Sequence, residues 1–184
     1  MARARKPKKK KRPPLPIASK PSLIVANGDG VEALAMQAAL ACDWPVLGYV
    51  PRGRSGSALR PGTLSDHPLQ AVKWNARAAD LTIVVTASAA LHGRAQWAAR
   101  WAQRYRKPTL HWWPGNADTS RLHVWLTTYR WRSVHITGAA EHQLGRAAEL
   151  IEPLIASIQR HACGRVIESS NADHGDVHQT EEPH

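Results

Sequence analysis

The sequence has no phenylalanine, only two cysteines and no long apolar run, and its first 20 residues contain no acid. Each scarcity removes a class of protein. Cys42 and Cys163 lie far apart with no pairing pattern, which excludes a disulfide framework and a cysteine-rich zinc module. Apolar runs end at lengths such as Leu81–Val85, far short of the roughly 20 residues that span a bilayer. Met1–Lys20 is basic and proline-rich with no apolar stretch behind the charge. No secretory signal is expected from it, and the chain reads as cytoplasmic, with no membrane partner.

What is present suits one soluble domain: 184 residues, 43% hydrophobic and 21% charged. The charge is uneven. Nine of the 25 Lys and Arg fall in residues 1–20, whereas residues 165–184 carry five acids against one Arg. The formal charge of +11 is therefore largely a property of the start of the chain. Residues 1–21 are expected to be a disordered basic arm, because like charges repel and almost nothing there can be buried. Residues 163–184 are expected to be a disordered acidic and polar tail. The folded unit is then 22–162.

Within it, strand and helix patterns alternate. Ser22–Gly28 reads as a buried strand ending in a turn, and Val31–Cys42 carries apolar residues at helical spacing. Pro45–Pro51 reads as a second strand. Leu69, Val72, Ala76 and Ala79 form the next helical stripe, and Leu81–Thr86 is apolar and β-branched, as in a strand covered on both faces. A helix over Arg94–Arg106, a strand over Pro108–Trp113, a short helix around Leu122–Tyr129, a strand over Ser133–Gly138 and a helix from Leu144 to Ile158 complete the series. Parallel neighbours need crossover connections, so the alternation predicts an α/β fold. The expected form is a Rossmann-like three-layer α/β/α arrangement with a mostly parallel five-stranded sheet.

Such folds bind ligands at the carboxyl ends of their strands. Three loops fall there. Asn27, Gly28 and Gly30 allow close backbone approach before a helix N-terminus that can receive an anion; a tight turn capped by Asp29 or Asn27 explains the same residues. Arg52, Gly53 and Arg54 form an ordered basic loop suited to phosphate or carboxylate, or a solvated one. Ser88 and Gly93, with His92 between them, could hold an anion before the third helix; His92 reads equally as an exposed loop residue.

In this order the three loops are similar to those of the circularly permuted branch of the SLOG superfamily, whose members often bear the label of molybdenum carriers. Val25-Ala-Asn-Gly-Asp-Gly-Val-Glu-Ala stands where the family has Ser-Gly-Gly-Gln-Thr-Gly-Val-Asp-Arg. Val50-Pro-Arg-Gly-Arg matches a Cys-Pro-Lys-Gly-Arg segment, and His67-Pro-Leu a Tyr-Pro-Leu element. Asn75 followed by Asp80 and a strand completes the resemblance, which covers about residues 22–160. It departs at three points. The family's Asp-Arg pair is Glu32-Ala33, its Thr is Asp29, and its Thr-Gly-Gly-Thr element is reduced to Leu91-His-Gly-Arg.

The resemblance implies a nucleotide or related phosphorylated ligand, held by Gly28, Gly30, Arg52, Arg54, Asn75 and Ser88. It also implies an enzymatic alternative. Some superfamily members are phosphoribohydrolases that cleave the N-glycosidic bond of nucleoside monophosphates with an acidic residue and an arginine; Glu32 is the acid available here. No cofactor is named by the sequence, no molybdate or metal cage is evident, and self-association stays open.

Eight tryptophans supply most of the aromatic content. Trp97, Trp101 and Trp125 lie on helical stripes and are expected in the core, while Trp112 and Trp113 must point to opposite sides of a strand. One of that pair could stack on a base. His174 and His178 have metal-compatible spacing within the expected tail. Pro7-Lys-Lys-Lys-Lys-Arg-Pro resembles a nuclear-import peptide, and residues 3–12 equally suit an arm that binds nucleic acid through its phosphates without reading sequence, or a solubilising tail.

Overall fold

The computed structural model describes residues 21–26, 28–51, 60–61 and 67–172, with side chains described for 21–26, 28–51 and 67–164. Strands are β1 (Ser22–Ile24), β2 (Val46–Leu47), β3 (Tyr49–Val50), β4 (Arg60–Pro61), β5 (Leu81–Val85), β6 (Thr109–Trp112) and β7 (Ser133–Gly138). Helices are α1 (Val31–Ala41), α2 (Pro68–Ala78), α3 (Gly93–Arg104), α4 (Thr119–Thr128) and α5 (Ile151–Ala172), with 3₁₀ turns leading into α5.

The main sheet runs β2-β1-β7-β5-β6, and every pairing in it is parallel. If the last strand is counted first, this order becomes 3-2-1-4-5, that of a doubly wound sheet without its sixth strand. The last strand in sequence is thus the middle strand in space. Winding reverses between β7 and β5, and a crevice opens at their carboxyl ends.

Strand alternation divides the core into two layers. Leu81, Ile83 and Val85 face the larger cluster, with Val31 and Ala35 of α1 and Ile151, Leu154, Ile155 and Ile158 of α5. Each of those large side chains contributes about 1.5–3 kcal/mol by burial. Val84 faces the other way, onto Val72 of α2 and Ala95, Ala98 and Ala99 of α3. That second layer is built mainly from alanine, so α3 lies close to the sheet.

Local chemistry sets the element ends. Pro68 occupies the first turn of α2, with His67 Nδ1 accepting from Leu69 N at 3.2 Å. Asp118 caps α4 by accepting from Ser120 N at 2.8 Å. Asp80 accepts from the backbone N–H of Arg132 and of Ser133 and from the Ser133 hydroxyl, at 2.9–3.0 Å, which fixes where β7 starts beside β5.

Three expectations change. The single strand expected over Pro45–Pro51 is two: the chain leaves the main sheet at Gly48, and β3 pairs with β4 instead. Trp97 is not core but 41% exposed, and Trp101 and Trp125 are half-buried. The reason for α3 is steric. Ala95, Ala98, Ala99 and Ala102 occupy its inner face, where a tryptophan would hold the helix off the sheet. Finally, α5 continues to Ala172, so the stretch expected as tail from residue 163 begins as helix.

Candidate functional site

At the carboxyl end of β1 the chain turns through Gly28, Asp29 and Gly30 into α1. Gly30 has φ of 64°, and a Cβ there would run into the Ala139 carbonyl oxygen, which already accepts from Val31 N at 3.0 Å. Glycine is needed at this position because the turn packs directly on the chain leaving β7. Gly28 serves another purpose. A side chain there would occupy the space of Glu32 Oε2 and Arg94 Nη1, so its absence lets a carboxyl and a guanidinium meet the backbone.

Glu32, in the first turn of α1, is only 1% exposed. Its Oε1 accepts from the Thr137 hydroxyl of β7 at 2.6 Å. Its Oε2 lies 3.6 Å from Arg94 Nη1 and has no hydrogen-bond partner among the described residues. Burial raises the Glu32 pKa to about 7, against the opposing effects of Arg94 and Thr137.

Arg94 enters from the first turn of α3. It forms an ion pair with Asp29 and donates to the Asp29 carbonyl at 3.2 Å. Its hydrogen bond holds the Asp29 carboxyl below the usual carboxylate range. The arginine that the family carries at the position of Ala33 is absent, yet Arg94 of α3 supplies a guanidinium beside the same acid. Sequence reasoning missed it because the two residues lie on helices that cover opposite faces of the sheet and meet only at the carboxyl ends of its strands. The fragment Leu91-His-Gly-Arg already contained it.

These groups border a cavity of about 120 Å³ lined by Ala26, Gly28, Asp29, Glu32, Arg94, Pro51, Pro68 and Val72. At ~30 Å³ per water this is room for about four waters, or one small polar group. It is too small for a whole nucleotide, since drug-sized ligands take about 300–1,000 Å³. A larger ligand would place one group here and extend outward past Pro51.

The other sequence candidates fall in different places. Asn75 is fully buried, and its amide accepts from Tyr49 N at 2.7 Å and donates to Tyr49 O at 3.1 Å. Its hydrogen bonds go to β3. Ser88 is exposed, and its carbonyl accepts from the Thr86 hydroxyl at 2.7 Å. Gly93, with φ of 51°, opens α3 one residue before Arg94 and faces open space. Asn27, Arg52, Gly53 and Arg54 lie outside the described residues, although Pro51, next in sequence to Arg52, forms part of the cavity wall. Trp112 is buried and Trp113 half-buried, as adjacent strand residues require.

A larger cleft of about 780 Å³ lies between α4 and the middle of α5, lined by residues such as His123, Arg130, Arg160 and His161. None of its lining belongs to the loops after β1, β3 or β5. The smaller cavity holds the fully buried carboxyl and lies at the strand ends, and it is the candidate site on both grounds. Among the described residues, no three His, Cys, Asp or Glu side chains are placed to hold a metal ion. No helix among them is long and apolar enough to cross a membrane.

A sequence model of the Circularly permutated YpsA SLOG family matches residues 24–158. The chain belongs to this family. The sheet agrees with the name: the family's permutation is the physical reason that the last strand, β7, lies in the middle. Among solved structures, a candidate molybdenum carrier protein from Syntrophus aciditrophicus SB superposes with a TM-score of 0.64 at 18% identity, covering 76% of this chain and 96% of that one. At that identity the likeness shows the three-layer Rossmann-like fold. No curated protein matches the chain.

Proposed function

We propose that this SLOG domain binds a nucleotide or related phosphorylated ligand at the carboxyl ends of β1, β7 and β5. One observation carries the reading. A fully buried Glu32 turns an oxygen without a hydrogen-bond partner into a cavity that it shares with Arg94. A buried polar atom left unpaired costs about 1–3 kcal/mol, and a ligand that hydrogen-bonds to it recovers that cost. Gly28 gives the ligand access to backbone, Gly30 holds the turn against the chain leaving β7, and Arg94 gives the ligand a cation. Asp29 half-occupies that cation and is itself 52% exposed, so an incoming phosphate can take its place. Arg52 and Arg54, following Pro51, and Ser88 and Gly93, before α3, would complete the anion contacts. Asn75 acts as a positioning residue that holds β3, and Pro51 after it, at the cavity.

The titration of Glu32 favours a second reading, nucleoside monophosphate hydrolysis. A carboxyl with a pKa of about 7 is matched to proton transfer at neutral pH. In that reaction Glu32 would protonate the departing base as the C1′–N bond breaks, and water would add its hydroxide to C1′ while its proton restores Glu32, giving free base and ribose phosphate. Turnover separates the readings. Binding alone predicts that nucleoside monophosphates raise the melting temperature and no base is released; release that disappears in Glu32→Gln would establish the hydrolase.

The thermal-shift panel should include sugar phosphates and oxyanions, molybdate among them. At about 100 times its dissociation constant a ligand adds about 2.7 kcal/mol of stability. Arg52→Ala combined with Arg54→Ala should abolish that gain. Full retention of the shift would remove the basic loop from the site.

A further inference from the structure

On α2 and α3 no residue is acidic. From Pro68 to Lys107 the one carboxylate is Asp80, and it is bound to the start of β7. The alanines of these helices face the sheet, which leaves the aromatic residues on the outer side with cations against their rings. Lys73 Nζ lies 4.4 Å from the Trp101 ring centre, joining α2 to α3. Arg104 lies 5.6 Å from the same ring, Arg100 5.7 Å from Trp97 and Arg77 5.5 Å from Trp74. Trp101 and Tyr105 stack at 5.9 Å with planes 21° apart.

An ordinary solvated helix face would intersperse carboxylates at i+3 and i+4 to offset such cations. Among the described residues, Lys73, Arg77, Arg100 and Arg104 lie against rings and form no ion pair, and the rings leave the charge in place. Trp97, the most exposed of them at 41%, is held in orientation by Arg100. Two copies of this face brought together by a twofold axis would set cation against cation. A polyanion with flat groups complements it, and unstacked nucleotides combine phosphates with bases that stack on aromatic rings. A duplex offers phosphates but keeps its bases stacked.

We propose that the outer face of α2 and α3 binds single-stranded nucleic acid, with a base stacked on Trp97 and phosphates paired with Lys73, Arg77, Arg100 and Arg104. The surface is separate from the cavity at Glu32. Residues 3–12 would add affinity by charge alone, without telling one strand from two.

The test is fluorescence anisotropy of a labelled oligothymidylate of about 20 nucleotides and of a duplex of equal length, with the full chain and a salt series. The wild type should favour the single strand, with quenched tryptophan emission. Trp97→Ala should weaken single-strand binding about fivefold or more and leave duplex binding unchanged. Arg100→Ala with Arg104→Ala, both exposed, should reduce the salt slope by about 0.7 for each phosphate that is no longer neutralised. Circular dichroism of each variant checks that the fold persists. Equal affinity and slope in wild type and variants would overturn the proposal and leave the arm as the binding element. So would a preference for duplex, for anionic vesicles over oligonucleotide, or a Trp97-dependent dimer that ignores nucleic acid.

Discussion

Glu32 and His135 are fully buried ionisable side chains whose pH dependences run in opposite directions. For Glu32 the folded pKa is about 7 against an ordinary 4.5. Between those values the unfolded chain has lost the proton and the folded chain keeps it, so stability falls as pH rises through that window and levels off above it. Glu32→Gln should therefore melt higher than wild type at pH 8, with the gap narrowing to nothing by about pH 4.5 in a series of thermal melts. A constant offset across pH would mean that Glu32 is ionised in the fold. His135, in β7, has neither ring nitrogen hydrogen-bonded among the described residues, and burial pushes its pKa from 6.5 to about 3. Here the unfolded chain gains the proton first, so stability falls as pH drops from about 6.5 towards 3. His135→Leu should flatten the acid limb of the stability profile while the limb assigned to Glu32 remains. Arg94 joins the two residue-scale themes of charge and burial. It stands 13% exposed against a buried carboxyl and an exposed one, and its charge, with the Thr137 hydrogen bond, opposes the effect of burial on Glu32.

Helix α3 shows how far element-level reading of the sequence reaches. Its existence and length were legible from helical spacing, as were the strand at Leu81–Val85 and the β–α alternation. Its orientation was not. Tryptophan outranks alanine in any hydrophobic stripe, yet the gap between α3 and the sheet admits only small side chains, a constraint set by the partner layer. Two substitutions separate the readings: Ala98→Leu should cost about 1–3 kcal/mol through overpacking, whereas Trp97→Ala should change stability by no more than about 0.5 kcal/mol. Denaturant unfolding of both measures this, and the reverse order would return Trp97 to the core. The first loop was legible in part. Gly28 and Gly30 were picked out by composition, and the structure assigns them separate duties, Gly28 close approach and Gly30 a left-handed turn. Gly30→Ala should destabilise by more than about 1 kcal/mol, because the added Cβ meets both an unfavourable φ and the Ala139 carbonyl. Asn75 was legible as a motif residue, but its partner Tyr49 is fixed by the β3 detour, which a two-residue strand does not announce.

At the scale of the molecule, permutation explains the site. Moving the first strand of a doubly wound sheet to the end of the chain leaves the sheet order intact and keeps the crevice at β7 and β5. It also means that the site is assembled from distant segments: Glu32 and Thr137 are separated by 105 positions, and Arg94 and Asp29 by 65. The sequence therefore displayed the loops without showing which of their side chains meet. The central claim is that the Glu32–Arg94 cavity is where a phosphorylated ligand binds. Titration calorimetry of a nucleoside 5′-monophosphate into the full chain and into Arg94→Ala tests it most directly. A charged hydrogen bond is worth about 1.5–3 kcal/mol, so the variant should bind about tenfold more weakly or worse while still melting cooperatively. Equal affinity in the two proteins, or no binding by the wild type to any nucleoside monophosphate, would contradict it.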